Sequence, residues 1–286
     1  MSWRPRQRRF DSAGAAPVLP LDILANGRGV SMRKLRTAYA GNCMLVRRSS
    51  DNTTQAIGFT ANGYCDTAAI TTFVGANNGF VVTWYDQGTP NDLSWDQSAT
   101  AARQARIVNA GVLDTQAGFV APFFIAANSN WYGLQSGLSG NNYTVLGVVY
   151  NNNNNARVLN SSNTNGYQNY LINSGANSRI VVSKNTVIEY GNTAYAINAG
   201  IHQIFSRAGN SSGTITLGYD GTYTSISATP TFSASPSLQY WGLNFANPAN
   251  SYFDGCCYEW ITYGSLIADV DRDAIVANQK AYWGTP

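Results

Sequence analysis

The chain has 286 residues, enough for one large domain, and 44% of them are hydrophobic, enough for a substantial core. Charged residues make up only 12%, about half the usual share, so solubility rests on Asn, Ser, Thr, Gly and Tyr. The formal charge of +3 is concentrated at the start rather than spread over a folded face, which argues against a nucleic-acid module.

Trp3, Arg4, Arg6, Arg8, Arg9 and Phe10 form a basic and aromatic run that precedes a small, apolar, Pro-containing stretch. Residues 1–28 read as an arm and linker, and 29–286 as one domain. The arm is open to three readings: a tail, an anchor that orders against a neighbouring subunit, or, less favoured, a DNA contact. Two prolines and Asp22 interrupt the apolar run after it, so it is not a signal peptide. No stretch is long and apolar enough to span a membrane as a helix.

Short strands separated by turn clusters then follow, the pattern of a sandwich or barrel. Strands are predicted at Cys43 to Arg48, Gly79 to Tyr85, Arg106 to Val108, and Phe119 to Ile125. Asp66 caps a short helix running to Val74. Further strands are predicted at Tyr143 to Tyr150, Gln168 to Ile172, Arg179 to Val182, Ala194 to Ile197, His202 to Arg207, Thr214 to Tyr219, and Gln239 to Phe245. The asparagine run 151–155 reads as a solvated hairpin tip. Phe253 to Tyr263 is the last strand. A closing helix, Val270 to Trp283, has Asp269 as its cap and Val270, Ala274, Ala277 and Ala281 as its apolar face.

Few residues are suited to chemistry. Cys43, Cys65, Cys256 and Cys257 are too sparse for a disulfide scaffold, and reduced, buried thiols are the default. Cys43 and Cys65, on adjacent predicted strands, are the pair left open to bridging. With no C-x-x-C and a single histidine, His202, no metal site and no cofactor are expected. His202 reads as a strand residue with an ordinary hydrogen bond. Neither a phosphate-binding G-x-x-x-x-G-K loop nor H-E-x-x-H occurs. Between Gln116 and Phe253 the only acids are Glu189 and Asp220, both beside turn residues where solvated acids are common.

The stretch Ser31-Met-Arg-Lys-Leu-Arg-Thr-Ala-Tyr-Ala-Gly-Asn-Cys-Met-Leu-Val-Arg-Arg-Ser-Ser-Asp51, followed by Phe80-Val-Val-Thr-Trp-Tyr-Asp-Gln87, carries a family resemblance. It resembles the opening of the catalytic domain of the α-L-arabinofuranosidases of glycoside hydrolase family 54. It is also similar to phage virion proteins that carry the same domain. The end of the chain, an F-x-G strand and a closing helix, resembles lectin-like jelly rolls. The resemblance implies an all-β, two-sheet antiparallel jelly roll of the concanavalin A-like type, with a short C-terminal helix and an extended N-terminal arm.

Retaining glycosidases need two carboxyl groups about 5–5.5 Å apart. In the family the nucleophile is a Glu within His-Met-Glu-Ala-Ile-Tyr, and the resemblance puts Gln168 there. The acid is an Asp in a Gly-Gly-Asp-Asn loop, and the matching position falls at or near Ala246. The adjacent cysteine pair of the family's sugar pocket falls near 151–155, where this chain has asparagines. Neither Gln168 nor Ala246 can supply a nucleophile or a proton, so no catalytic residue is expected. Trp84-Tyr-Asp-Gln87 and Asp254 read as structural, and Glu259 as facing a polar groove or a neighbour's arginine.

The resemblance therefore implies a non-enzymatic virion protein (head decoration, collar, fibre or tail tip), made in a host cytoplasm and self-associating or docked on capsid, collar or tail proteins. Its jelly roll would present host surface glycans with aromatic faces, the candidates being Trp131, Tyr132, Tyr167, Tyr170 and Trp241. No membrane partner is expected. The alternative is an active virion-associated arabinofuranosidase or polysaccharide depolymerase.

Overall fold

A computed structural model describes residues 18–139, 142–151, 157–162, 167–174, 177–184, 187–190, 200–209, 213–227, 237–242 and 252–286, with the backbone alone at 136–139, 151, 157–190 and 237–239. The chain forms a β-sandwich of antiparallel strands closed by one C-terminal helix. In one layer, Gly255–Tyr263 lies between Arg28–Ser31 and Asn142–Asn151. That layer continues through His202–Gly209 and Thr214–Tyr219 to Thr222–Ser227. The other layer runs from Thr54–Ile57 through Met44–Arg48, Gly79–Trp84, Trp95–Asp96 and Tyr132–Ser139 to Ser237–Trp241. It extends through Arg157–Ser162, Tyr167–Ser174 and Asn177–Lys184 to Val187–Tyr190.

Gly255–Tyr263 is buried along its whole length, as a central strand covered on both faces must be. Its neighbour contains Gly147, and a Cβ there would sit 2.4 Å from the Trp260 ring. Glycine at this point lets the indole lie across the adjacent strand. Trp260 then meets Trp241 edge-on at 5.9 Å, joining the two layers through aromatic surface.

The element Trp84-Tyr-Asp-Gln87 is structural, as the sequence suggests. Asp86 accepts from the backbone N–H groups of Gly29, Gly88 and Leu93. Gln87 accepts from Leu35 N–H and donates to the carbonyls of Ser31 and Arg33. One loop thereby fixes the course of the first strand. Burial raises the Asp86 pKa against these N–H donors. Asp254 is bound in the same way, accepting from Ala126 N–H.

Four sequence expectations need correction. Residues 18–27 belong to the domain rather than the linker: Pro20–Ile23 is a helical turn, Leu21 is buried, and Asp22 accepts from Thr37. Phe119 to Ile125 is not one strand. Phe119–Val120 pairs with Thr115–Gln116, whereas Phe123–Phe124 pairs with Gly255 and Cys256. The helix spans Asp269–Trp283 with Ala268 as N-cap, so Asp269 is its first residue and pairs with Arg207 and Arg272. Its buried face is Arg272, Ile275, Val276, Gln279 and Trp283, while Val270, Ala274, Ala277 and Ala281 face out.

The remaining elements fall close to expectation. Asp66 caps Thr67–Val74 by accepting from Ala69 N–H. The predicted strand 194–197, the asparagines 152–155 and the part of 239–245 beyond Gly242 lie outside the described residues. No described helix is long and apolar enough to cross a membrane.

Candidate functional site

The candidate glycan residues separate by depth. Tyr132 and Trp241 are wholly buried, so they are core residues and offer no face to a sugar. Tyr132 donates its hydroxyl to Val81 O and accepts from Ala105 N–H. Trp241 stacks on Trp95 at 4.6 Å and packs on Phe124 and Phe253. Their strands put them on the inward side of the pleat, a choice that aromatic residue type alone does not reveal.

Trp131, one residue away from Tyr132, is half-buried and sits at the surface. Its ring meets Tyr240 edge-on at 5.5 Å, and the Arg103 guanidinium lies 5.7 Å from its centroid. Gln97 donates to the Trp131 carbonyl and so fixes the backbone beneath. The result is an indole, a phenol and a guanidinium side by side at a strand end. Such a group can pack on the C–H face of a sugar, although the Trp131 Nε1 is itself buried and is not offered to a hydroxyl. Tyr240 and Arg103 were not legible as partners in the sequence, since they lie 109 and 28 positions from Trp131. Tyr167 and Tyr170 lie on the strand Tyr167–Ser174, three positions apart, and their side chains are outside the described residues. Trp3, Arg4, Arg6, Arg8, Arg9 and Phe10 are outside them entirely.

Asp220 is occupied elsewhere, while Glu189 lies on Val187–Tyr190 with its side chain outside the described residues. Asp220 is not solvated: its side chain is 12% exposed and 2.8 Å from His202 Nδ1. Its second oxygen accepts from Gln203 N–H. Asp220 and Gly221 carry φ of +52° and +82° and connect paired Tyr219 and Thr222, the geometry of an Asp-Gly hairpin turn. Lys280 of the closing helix donates to the Asp220 carbonyl. Tyr219 stacks on the His202 ring at 4.6 Å. This pair pins a hairpin to the sheet and to the helix, and His202 has the ordinary hydrogen bond expected of it.

Glu259 departs from expectation. It faces neither a groove nor a neighbouring chain; it is fully buried within its own. Arg33 reaches both its oxygens, at 2.7 and 3.1 Å, and Ser31, Gln279 and Trp283 also donate to it. Arg33 in turn lies over Tyr282, 4.1 Å from its centroid. A buried carboxylate needs such a ring of donors to remain charged. The network fastens the first strand, the last strand and the closing helix together.

Among the described residues, the four cysteines are free and buried, and no cluster suited to a metal ion is present. Burial raises the Cys43, Cys256 and Cys257 thiols well above their ordinary range, which leaves them protonated and unreactive. Gln168 lies on Tyr167–Ser174 with its side chain outside the described residues; Ala246 is outside them altogether.

No protein-family model and no curated protein matches the sequence. Solved structures do match the fold. A GH54 α-L-arabinofuranosidase soaked with a cyclic sulfate inhibitor superposes with a TM-score of 0.71 at 15% identity, over 93% of this chain. An arabinofuranosidase complexed with arabinofuranosyl-α-1,2-xylobiose gives 0.67 at 15% identity, again over 93% of this chain. The chain spans 66% and 65% of those two proteins. The shared fold is thus the glycosidase-type jelly roll that the terminal motifs resemble. At this identity the likeness fixes the fold and leaves the activity to the residues.

Proposed function

We propose that this chain is a non-catalytic virion protein whose glycosidase-type jelly roll serves assembly and glycan contact. The observation that carries the non-catalytic part is the use made of Asp220. Only two acids lie between Gln116 and Phe253, and one of them is spent on holding a hairpin turn. A carboxylate held by a histidine and a backbone N–H in a turn is poorly placed to attack or protonate a glycoside. Glutamine and alanine at the positions matching the family's catalytic pair support the same reading. The virion part rests on the resemblance of Ser31 to Asp51 to phage proteins and on the low charge of the chain. Glycan contact is assigned to Trp131, with Tyr240 and Arg103 beside it.

The test combines turnover with binding. Incubation at high protein concentration with 4-nitrophenyl α-L-arabinofuranoside is expected to release no nitrophenol above background. A glycan that binds saturably is expected to lose affinity by about tenfold on Trp131→Ala, the loss of one aromatic face. Turnover abolished by Asp220→Asn or Glu189→Gln would establish the alternative enzyme, with which the shared fold is compatible. Cryo-electron microscopy of particles containing the chain tests the virion assignment: repeated, ordered copies are expected.

A further inference from the structure

The turn Ala101–Arg103 is flanked by two arginines that no acid neutralises. Arg48 and Arg106, close by in the sequence, pair with Asp51 and Asp114, whereas Arg47 and Arg103 pair with no carboxylate among the described residues. Each lies instead against a ring: Arg47 is 4.8 Å from the Phe80 centroid, and Arg103 is 5.7 Å from that of Trp131. Arg47 is held in place, donating to Gln104 Oε1, Asn52 Oδ1 and the Ala101 carbonyl. Gln104 donates to the Gln97 carbonyl, and Gln97 to that of Trp131. Both glutamines are buried, so a chain of amides ties the Arg47 side of the turn to the Trp131 side. Arg103 makes no hydrogen bond to a described residue, which leaves its five N–H donors unspent. We propose that the sugar held at Trp131 is acidic, a hexuronate whose carboxylate is taken by Arg103.

This rests on the glycan contact assigned to Trp131 and names the class of its ligand. A guanidinium is a planar, weakly hydrated fork that meets a carboxylate at two points. Left unspent beside an indole, it suits an anion better than a hydroxyl. The carboxylate of a hexuronate sits one bond from the sugar ring. A pyranose packed on Trp131 therefore carries it out towards Arg103, 5.7 Å from the indole centroid. Arg47 adds a second positive charge across the turn, and its bonds to Gln104, Asn52 and Ala101 keep it there. Burial lowers the Arg47 pKa, and no acid offsets the effect. The acid in the adjoining strand, Asp96 opposite Gly133, accepts from Thr83 and Ser98 and forms no ion pair among the described residues. It does not take the place of the missing counter-ion.

Titration calorimetry on the full chain tests it, with trimers of galacturonate, glucuronate and mannuronate, each also offered as its uncharged methyl ester. At least one acid trimer is expected to bind about tenfold more tightly than its ester, the worth of one charge-assisted pair. Arg103→Gln is expected to abolish that difference. Arg103→Lys, which keeps the charge and loses the fork, is expected to retain part of it. Trp131→Ala is expected to weaken acid and ester alike. Equal binding of acid and ester by the wild-type chain would overturn the acidic ligand and leave Trp131 as a site for a neutral sugar. Acid binding that Arg103→Gln leaves unchanged, or no saturable binding of any trimer, would overturn it as well. Acid binding untouched by Trp131→Ala would be charge attraction alone, and the glycan contact at Trp131 would fall with it.

Discussion

The aromatic layer around Trp95 and Trp241 and the carboxylate centre at Glu259 are both fully buried, yet they hold the sandwich by opposite means. In the first, Trp84, Trp95, Phe124, Tyr132, Trp241 and Phe253 pack ring against ring at 4.5–6.4 Å with no ion among them. In the second, one charge is surrounded by donors from the first strand and the closing helix. Dispersion and area do not depend on a single partner, whereas a buried charge does. The aromatic layer is therefore expected to tolerate a change of shape better than the carboxylate centre tolerates the loss of one donor.

A large effect is expected from Arg33. Arg33→Met keeps much of the volume but strands Glu259, and unfolding by denaturant should show a loss of about 3–5 kcal/mol. Pairing it with Glu259→Gln should recover part of that loss, because the remaining donors then face a neutral amide. If the single and double variants were equally destabilised, the charge would not be what the centre depends on. The aromatic layer gives the graded counterpart. Trp241→Ala opens a cavity and should cost about 3–5 kcal/mol, while Trp241→Phe, which keeps a ring against Trp95, should cost clearly less. Equal losses would mean that Trp241 acts through more than its packed surface.

The same contrast explains what the sequence could and could not disclose. Alternation and turn residues placed Met44–Arg48, Gly79–Trp84, Asn142–Asn151 and Gly255–Tyr263 well, because period-2 patterning and breakers are local. The closing helix was found but turned the wrong way. Its buried face includes Arg272, which stacks over Tyr223 at 4.0 Å, and Gln279, which serves Glu259. Polar residues buried for distant partners defeat a count of apolar positions. Trp131 and Tyr132 show the limit at the candidate site: adjacent aromatics with the same sequence signature, one at the surface and one in the core, are separated only by the pleat. The glycosidase-type fold was legible from motifs at the two ends. The pairing of Trp131 with Arg103 and Tyr240 was not, since strand order brings them together.

An exposed ion pair supplies the mildest case and bounds the comparison from the other side. Asp51 is bonded by Arg48 and Thr53, which hold its carboxyl well below the usual carboxylate range. A folded-state pKa below the unfolded value means the pair contributes at all pH values above the unfolded pKa of about 3.9. The contribution fades as pH falls from there through the folded value. Because solvent and salt screen this surface pair, its share is small beside that of Glu259. Wild type should melt slightly above Asp51→Asn between pH 7 and about 4, and the gap should close below that. A gap that persisted unchanged into stronger acid would show that Asp51 supports the turn by its shape and hydrogen bonds. Its charge would then add nothing to the fold.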